Sequence, residues 1–284
     1  MTTEEPVSFL CVGERLHGVW HQPPDSPGVK RRLAVLLLHG WSGTRLGPHR
    51  MLVEMARALA ARGFHALRFD FRGRGESEGD AEKASLTTMI QDARAAGDFL
   101  LARSGARSLA LLGLCSGGEV AVGSAAHPAV RALALWSVPL VGPGARAQEG
   151  ARSAATVLTT YLRKLRDPAT WRKILKGEVH GKLVAQALSG GAGRNLEAAR
   201  RDEQRALTQS LHAFRGATLF VHGGADPGAG HIQESYQKIC KENGIGARFH
   251  TLAGANHNFY SLAWKRELMA TTLSWLEDTD GDGS

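Results

Sequence analysis

Residues 108–126, SLALLGLCSGGEVAVGSAA, place an apolar run, a glycine-rich turn and a run of small apolar residues directly one after another. The apolar run is typical of a buried strand, and the small residues suit a tightly packed helix. A short turn between a strand and a helix forces its central side chain outward on a strained backbone, and flanking glycines allow the close approach this needs. Here the centre is Cys115, between Gly113 and Gly117. The segment predicts a strand–turn–helix unit that exposes a thiol.

Strand and helix patterns alternate along most of the chain. Continuous apolar runs predict strands buried on both faces, and helical spacing of apolar residues predicts helices between them. This order is typical of an α/β protein with a mostly parallel, doubly wound sheet. An antiparallel hairpin is expected at the front edge, and the last residues, DTDGDGS, are expected to form a frayed tail. The predicted strands are 7–11, 15–21, 33–38, 64–70, 108–114, 130–139, 217–223 and 247–254, and the predicted helices are 46–62, 85–103, 116–126, 230–243 and 260–277.

Residues 140–213 interrupt this alternation, because they are helical in composition, rich in Arg and Lys, and lack a strand-like run. We interpret them as a helical lid or cap inserted into a core made of residues 1–139 and 214–284. Residues 137–213 contain 13 Lys or Arg against 6 Asp or Glu, a balance of +7 within the chain's net charge of +8. Two interpretations stay open: a solvated cover, or a surface that attracts an anionic substrate or carrier.

The residues alone leave three interpretations of the turn open. Cys115 is a nucleophile, Ser116 is a nucleophile shifted by one place, or Cys115 is a small buried residue in an inert turn. The glycine register favours Cys115, since Ser116 would have Leu114 and Gly118 at the flanking positions. The N-terminus of the following helix would also lower the pKa of a thiol at this point.

A nucleophile needs a base and an acid that orients the base, and both follow in the chain. Asp226 and His257 each come just after a predicted strand, in VHGGADPGAG and LAGANHNFY. Active sites gather at the carboxyl ends of parallel strands, so we expect a Cys115–His257–Asp226 triad there. The backbone N–H groups of Trp41 and Ser116 are the expected oxyanion hole. Asp226 has an alternative role in a turn or helix cap.

Other titratable residues are expected to hold turns or fill the core. The glycines of GRGESEG are not followed by the Lys-Ser/Thr pair of a phosphate-binding loop, and none of the 12 histidines belongs to a cluster with metal-ligand spacing. No metal or cofactor is therefore expected. The residues expected to be structural are Asp70, Arg72, Arg74, His222, His250, Cys11 and Cys240.

Five motifs together resemble those of the α/β-hydrolase superfamily across nearly the whole chain. In chain order they are LLHGWSG for the oxyanion loop, FDFRGRGESEG for the next turn, GLCSGG for the nucleophile elbow, HGGADP for the acid loop and GANHNF for the histidine loop. The resemblance implies the α/β-hydrolase fold. Cysteine stands at position 115 where serine is usual, which is similar to dienelactone hydrolase and to thioesterase-like acyl transferases. The insert YLRKLRDPATWRKILKGEV loosely resembles the hydrolases of exosortase and exopolysaccharide gene clusters.

The resemblance and the cysteine together imply an acyl hydrolase or acyltransferase that acts on ester or thioester bonds through a thioester acyl-enzyme. The expected partner is a small-molecule or carrier-bound acyl substrate, an anionic one included, and nucleic acid is not expected. Two alternatives stay open: dienelactone-type ring opening or carbon–carbon hydrolysis, and a non-catalytic binding protein on a hydrolase scaffold.

The three cysteines are few, odd in number and widely spaced, which is typical of a reducing compartment. The N-terminus has no long apolar run, and no stretch of about 18 apolar residues occurs. We therefore expect a cytoplasmic protein without a membrane span.

Overall fold

A computed structural model of the chain describes residues 2–24, 31–142 and 190–281, and for residues 190–200 the backbone alone. The centre is an eight-stranded sheet with the order β1-β2-β4-β3-β5-β6-β7-β8. β1 pairs antiparallel with β2, and β2 with β4, whereas all the other pairs are parallel. The strands are β1 (Thr3–Cys11), β2 (Glu14–Gln22), β3 (Leu33–Leu38), β4 (Ala66–Phe69), β5 (Ser108–Leu114), β6 (Val130–Trp136), β7 (Ala217–Gly223) and β8 (Ala247–Leu252).

Helices follow most of the parallel strands, and the predicted α/β class with a mostly parallel sheet is confirmed. Described helices are α1 (Met51–Ala61), α2 (Leu86–Ser104), α3 (Ser116–Ser124), α4 (Gly190–Ala213), α5 (Ala229–Asn243) and α6 (Leu262–Gly281). Local sequence fixes the ends of α2. Ser85 and Thr88 form a reciprocal capping box at its start, and Gly105, with φ of 66°, ends it in a left-handed conformation.

Strand β3 shows why helices cover both faces of the sheet. All six of its residues are buried. Leu33, Val35 and Leu37 belong to a core cluster that includes apolar residues of α1 and α6. The alternate residues point to the other face, where α2 and α3 contact each other and β3. A strand that is apolar on both faces is stable only between two such layers.

The predicted helix 46–62 is too long at its start. A short 3₁₀ turn, Pro48–Arg50, precedes α1, and His49 and Arg50 have positive φ values of 50° and 60°. A right-handed helix cannot continue through two left-handed residues, so α1 begins at Met51.

The expectation of a frayed tail is wrong for residues 278–281. Helix α6 continues to Gly281, and Oδ1 of Asp280 accepts hydrogen bonds of 2.9 Å from the backbone N–H groups of both Arg32 and Leu33. This carboxylate fixes the end of the helix against the start of β3. Its partners are more than 240 residues away in sequence, so no local pattern shows them.

The lid interpretation of residues 140–213 stays a prediction, because 143–189 lie outside the described residues. The chain divides into two compact units, one made of Met1–Leu140 with Leu207–Ser284 and the other of Val141–Ala206. In the parts of the chain that the structure describes, no helix combines the length and apolarity needed to cross a membrane.

Candidate active site

Cys115 lies at the tight turn between β5 and α3. Its backbone has φ of 55° and ψ of −125°, a strained conformation for any residue with a Cβ. Its N–H donates to the carbonyl of Trp136 over 2.8 Å, which fixes the turn to the end of β6. The side chain is partly exposed, so the turn presents the thiol at the carboxyl edge of the sheet.

The glycines on either side of Cys115 are required by close backbone contacts. A Cβ on Gly113 would lie 2.3 Å from the carbonyl oxygen of Gly117, and a Cβ on Gly117 would lie 2.3 Å from that of Leu38. Both distances are too short for any side chain, so the turn closes only with glycine at these two positions. Cys115, and not Ser116, therefore occupies the centre of the glycine register.

His257 and Asp226 meet at the same edge of the sheet, after β8 and β7. Nδ1 of His257 lies 2.7 Å from Oδ2 of Asp226, and a carboxylate acceptor places the proton on Nδ1. The two loops are also joined by the N–H of Ala225, which donates to the carbonyl of Ala255 over 2.9 Å. The hydroxyl of Ser137 donates to the carbonyl of His257 over 3.0 Å. Backbone contacts as well as the carboxylate therefore orient the imidazole.

The pKa of His257 is raised from 6.5 to about 10. The hydrogen bond with Asp226 is the largest cause, the hydrogen bond with the Cys115 side chain is the second, and burial of the ring opposes both. The Asp226 side chain is 15% exposed and that of His257 is 40% exposed, so the carboxylate is shielded while the ring remains within reach of a ligand. Asp226 and the Cys115 side chain therefore both favour the protonated form of His257.

Trp41 and Ser116, the expected oxyanion donors, are in direct contact. The N–H of Trp41 donates to Oγ of Ser116 over 2.6 Å, and Ser116 is buried. The guanidinium of Arg74 lies 5.6 Å from the centroid of the Trp41 ring, so Arg74 contacts the loop after β3 in addition to its own turn. Sequence analysis missed the contact between Trp41 and Ser116. The available signal was a hydroxyl side chain directly after the central residue of the turn.

A family model described as the alpha/beta hydrolase family matches residues 35–270. The chain belongs to the alpha/beta hydrolase family. The superfamily resemblance predicted from the five motifs is thereby confirmed.

The curated relatives of this family member match only part of it. It is 32% identical over 152 residues to the lysophosphatidylserine lipase ABHD12 of Gallus gallus, which covers 48% of this chain and 38% of that protein. It is 35% identical over 119 residues to the lipase of the same name from Mus musculus, with coverage of 37% and 29%. The chain spans well under half the length of these relatives.

Solved structures match the whole fold at low sequence identity. The dienelactone hydrolase from Anabaena variabilis has a TM-score of 0.63 and 15% identity, with 98% of both chains covered. Est1E from Butyrivibrio proteoclasticus, with ferulic acid bound, has a TM-score of 0.65 and 16% identity, with 96% of this chain and 98% of that chain covered. At these identities the likeness shows a shared fold alone.

Asp70 and Arg72 hold the turn after β4 in this family member, as the sequence predicts. Asp70 is fully buried and accepts a hydrogen bond of 2.6 Å from the backbone N–H of Arg45, whose guanidinium also contacts the carboxylate. Nε of Arg72 donates to Oδ1 of Asp92 over 2.8 Å, which ties the turn to α2. Arg45 is not singled out by the sequence, because its partner lies 25 residues further along.

The two strand histidines named from sequence have structural contacts. Nε2 of His222 is buried 3.2 Å from the carbonyl oxygen of Val138. Nε2 of His250 lies 2.9 Å from Oε1 of Glu267. Within the described residues neither ring is hydrogen-bonded to Cys115, Asp226 or His257, although the charges of Asp226 and His257 act on His222.

Cys11 and Cys240 are buried free thiols, and burial is the main reason why the pKa of each is raised to about 11. Both are therefore neutral and unreactive at physiological pH, as the sequence analysis expects. Within residues 2–24, 31–142 and 190–281, no group of three or more His, Cys, Asp or Glu side chains has the arrangement of a metal site.

Proposed function

We propose that the chain is an acyl hydrolase or acyltransferase that acts on ester or thioester bonds through Cys115, His257 and Asp226. The observation that supports this most is the coupling of His257 to Asp226 on one side and to the Cys115 side chain on the other. Cys115 itself lies at a strained strand–helix turn, which presents its side chain to a ligand.

In the proposed first step the Cys115 sulfur attacks the acyl carbonyl carbon. A carbon–sulfur bond forms and the carbonyl π electrons move to oxygen. When the tetrahedral intermediate collapses, the bond to the leaving alkoxide or thiolate breaks, and the leaving group takes the proton held by His257. Asp226 keeps the ring in the tautomer with the proton on Nδ1, so Nε2 performs this transfer.

In the second step a nucleophile attacks the thioester on Cys115. Water gives its proton to His257 and the product is a carboxylic acid. An amine or another thiol that enters in the same way gives acyl transfer, since a thioester is more reactive than an oxygen ester toward such nucleophiles. The released sulfur regains its negative charge beside the newly protonated His257.

The oxyanion of each tetrahedral intermediate needs hydrogen-bond donors, and we propose the backbone N–H groups of Ser116 and Trp41 for this role. The Trp41 N–H is engaged by the Ser116 hydroxyl in the free structure. A full negative charge is a much stronger acceptor than a hydroxyl oxygen. We therefore expect the oxyanion to displace the Ser116 hydroxyl from Trp41 when the intermediate forms.

The substrate class is drawn from the relatives and from charge. A lysophosphatidylserine lipase matches 48% of the chain, which supports an acyl ester or thioester with an apolar acyl group. The balance of +7 over residues 137–213 supports an anionic or carrier-bound form of that substrate. If so, kcat/KM for an anionic acyl donor falls with added salt while that for a neutral donor stays flat. A thiol nucleophile suits a reducing compartment, and a cytoplasmic location is part of this proposal.

Intact-mass spectrometry after incubation with activated acyl donors tests the proposal. We expect one acyl group per chain in the unmodified protein and in Ser116→Ala, and none in Cys115→Ala. An acyl group on Cys115→Ala would remove the nucleophile assignment. A chain that is never acylated and turns over no ester or thioester would favour a binding protein on a hydrolase scaffold.

A further inference from the structure

A cleft of about 520 Å³ lies at the edge of the sheet opposite to Cys115, where β6 and β7 begin. Its volume is within the range of small-molecule sites. Nothing in the proposed reaction uses it, because Cys115, His257 and Asp226 all follow the carboxyl ends of strands. The lining residues that carry the argument are Ala126, Pro128, Arg131, Ser210, Ala213 and Arg215.

Two arginines in this cleft are held by the same local pattern. Nη1 of Arg131 donates to the carbonyls of Pro128 and Val130, over 2.6 and 3.1 Å. Nη1 of Arg215 donates to the carbonyls of His212 and Phe214, over 2.6 and 2.9 Å. In both cases the acceptors are the residues three before and one before the arginine. Each guanidinium is therefore fixed by backbone, and among residues 2–24, 31–142 and 190–281 its Nε and Nη2 donors have no hydrogen-bond acceptor.

The two positive charges lie at the starts of neighbouring strands, since Arg131 is the second residue of β6 and Arg215 comes two residues before β7. Ala132 of β6 pairs with Ala217 of β7, so Arg131 and Arg215 stand at the same end of adjacent parallel strands. Both are exposed, and within the described parts of the chain neither forms an ion pair with a carboxylate. Two guanidinium groups that line one cleft favour the binding of an anion there.

The rest of the cleft is mainly apolar. The alanine and proline side chains of Ala126, Pro128 and Ala213 are exposed along its wall, and Ser210 adds a hydroxyl. Gly216 lies at its base, where a Cβ would come 2.2 Å from the carbonyl oxygen of Arg131 and so could not fit. This close approach keeps the backbones of the two strand ends near each other.

We propose that this cleft binds a small organic anion, a carboxylate or phosphate monoester on a short apolar chain, with the anion between Arg131 and Arg215. The apolar chain lies along the alanine and proline wall. This site is separate from the proposed catalytic one and does not depend on it.

Isothermal titration of the whole 284-residue chain with octanoate and octyl phosphate tests the proposal. Octanol supplies the apolar chain without charge, and inorganic phosphate supplies charge without the chain. We expect both octyl anions to bind with one site, and Arg131→Gln and Arg215→Gln each to weaken binding tenfold or more, as loss of a charge-assisted hydrogen bond does. Arg107→Gln is the matched control, because Arg107 is exposed at the same edge of the sheet but outside the cleft.

Equal affinity of the unmodified protein and both cleft variants would overturn the proposal, as would the absence of binding at millimolar octyl anion. If octanol or inorganic phosphate binds as tightly as octyl phosphate, the claim that both the charge and the apolar chain contribute to binding is overturned. If a Gln variant is less stable in thermal unfolding, Arg131→Lys replaces it. Lysine keeps the charge but not the planar fork, so we expect weakened but measurable binding.

Discussion

Replacement of Asp226 by Asn tests the coupling on which the proposed chemistry depends. The pKa of His257 is raised from 6.5 to about 10, and the hydrogen bond with Asp226 is the largest cause. Asn removes the negative charge but keeps the size of the side chain, and the contribution of Cys115 remains. A neighbouring charge of this kind changes a pKa by 1–3 units, so we expect the pKa of His257 to fall by about 2 units.

The same substitution affects the tautomer of the ring. An amide placed 2.7 Å from Nδ1 can donate a hydrogen bond as well as accept one, so the ring is no longer held with its proton on Nδ1. Nε2 then carries the proton in part of the molecules and cannot accept one from the nucleophile or from water. We expect turnover to fall by roughly 10²–10⁴-fold, the range for a lost general acid–base function.

The assay is a pH titration of ¹⁵N-labelled histidine side chains by NMR, together with kcat/KM for an activated ester. Glu267→Gln is the control, because it removes the carboxylate partner of His250 and leaves His257 untouched. An unchanged pKa of His257 in Asp226→Asn, together with unchanged turnover, would refute the coupling between Asp226 and His257.

The pKa of His257 also affects stability. Its folded-state pKa is above its ordinary value, so the bound proton stabilises the folded protein fully below about pH 6.5. This contribution is lost as the pH rises toward 10. In Asp226→Asn we expect this stabilisation to be lost at lower pH than in the unmodified protein. Denaturant unfolding of both proteins between pH 7 and 10 measures the difference.

Three further expectations concern other residues. We expect Cys115→Ala to abolish acylation and Cys115→Ser to be acylated more slowly than the unmodified protein. Stopped-flow release of the leaving group measures both, and full activity of Cys115→Ala would contradict the mechanism. We expect Ser116→Ala to keep kcat/KM within about tenfold of the unmodified protein, because the substitution only frees the N–H of Trp41. A loss as severe as that of Cys115→Ala would instead make Ser116 the nucleophile. The pKa of His21 is lowered to about 4, chiefly by burial and then by the Arg68 guanidinium, whose Nε donates to His21 Nε2 over 2.9 Å. The contribution of His21 to the free energy of unfolding is therefore fully present above pH 6.5, and up to about 3 kcal/mol of it is lost as the pH falls toward 4. Urea unfolding should show this loss reduced in His21→Gln, and an equal pH dependence of that variant would refute the assignment.

The elements predicted most accurately from sequence are those with a strong local signal. The strands 33–38, 108–114 and 217–223 have the bounds seen in the structure, because continuous apolar runs end there at glycine or at a change to polar residues. The proximity of Cys115, Asp226 and His257 is predictable for a related reason. Residues that follow parallel strands are brought to one edge of the sheet by topology alone.

The features that were missed depend on contacts between distant segments. The hydrogen bond from Trp41 to Ser116 joins residues 75 apart, and the bond from Leu33 to Asp280 joins residues 247 apart. No periodicity within a helix or strand indicates such a partner. The left-handed residues before α1 were missed as well, since Arg50 is not a residue type that is enriched at positive φ.

The backbone geometry of the turn at Cys115 does not depend on which atom ends the central side chain. The strain of its backbone, roughly 1–3 kcal/mol, and the close contact of Gly117 with Leu38 are the same whether the central side chain ends in sulfur or in oxygen. One atom can therefore change while every backbone contact around it stays. Under the proposed mechanism, one substitution at position 115 would therefore exchange a thioester intermediate for an oxygen ester, whereas a single methyl group added at Gly117 would disrupt the turn itself.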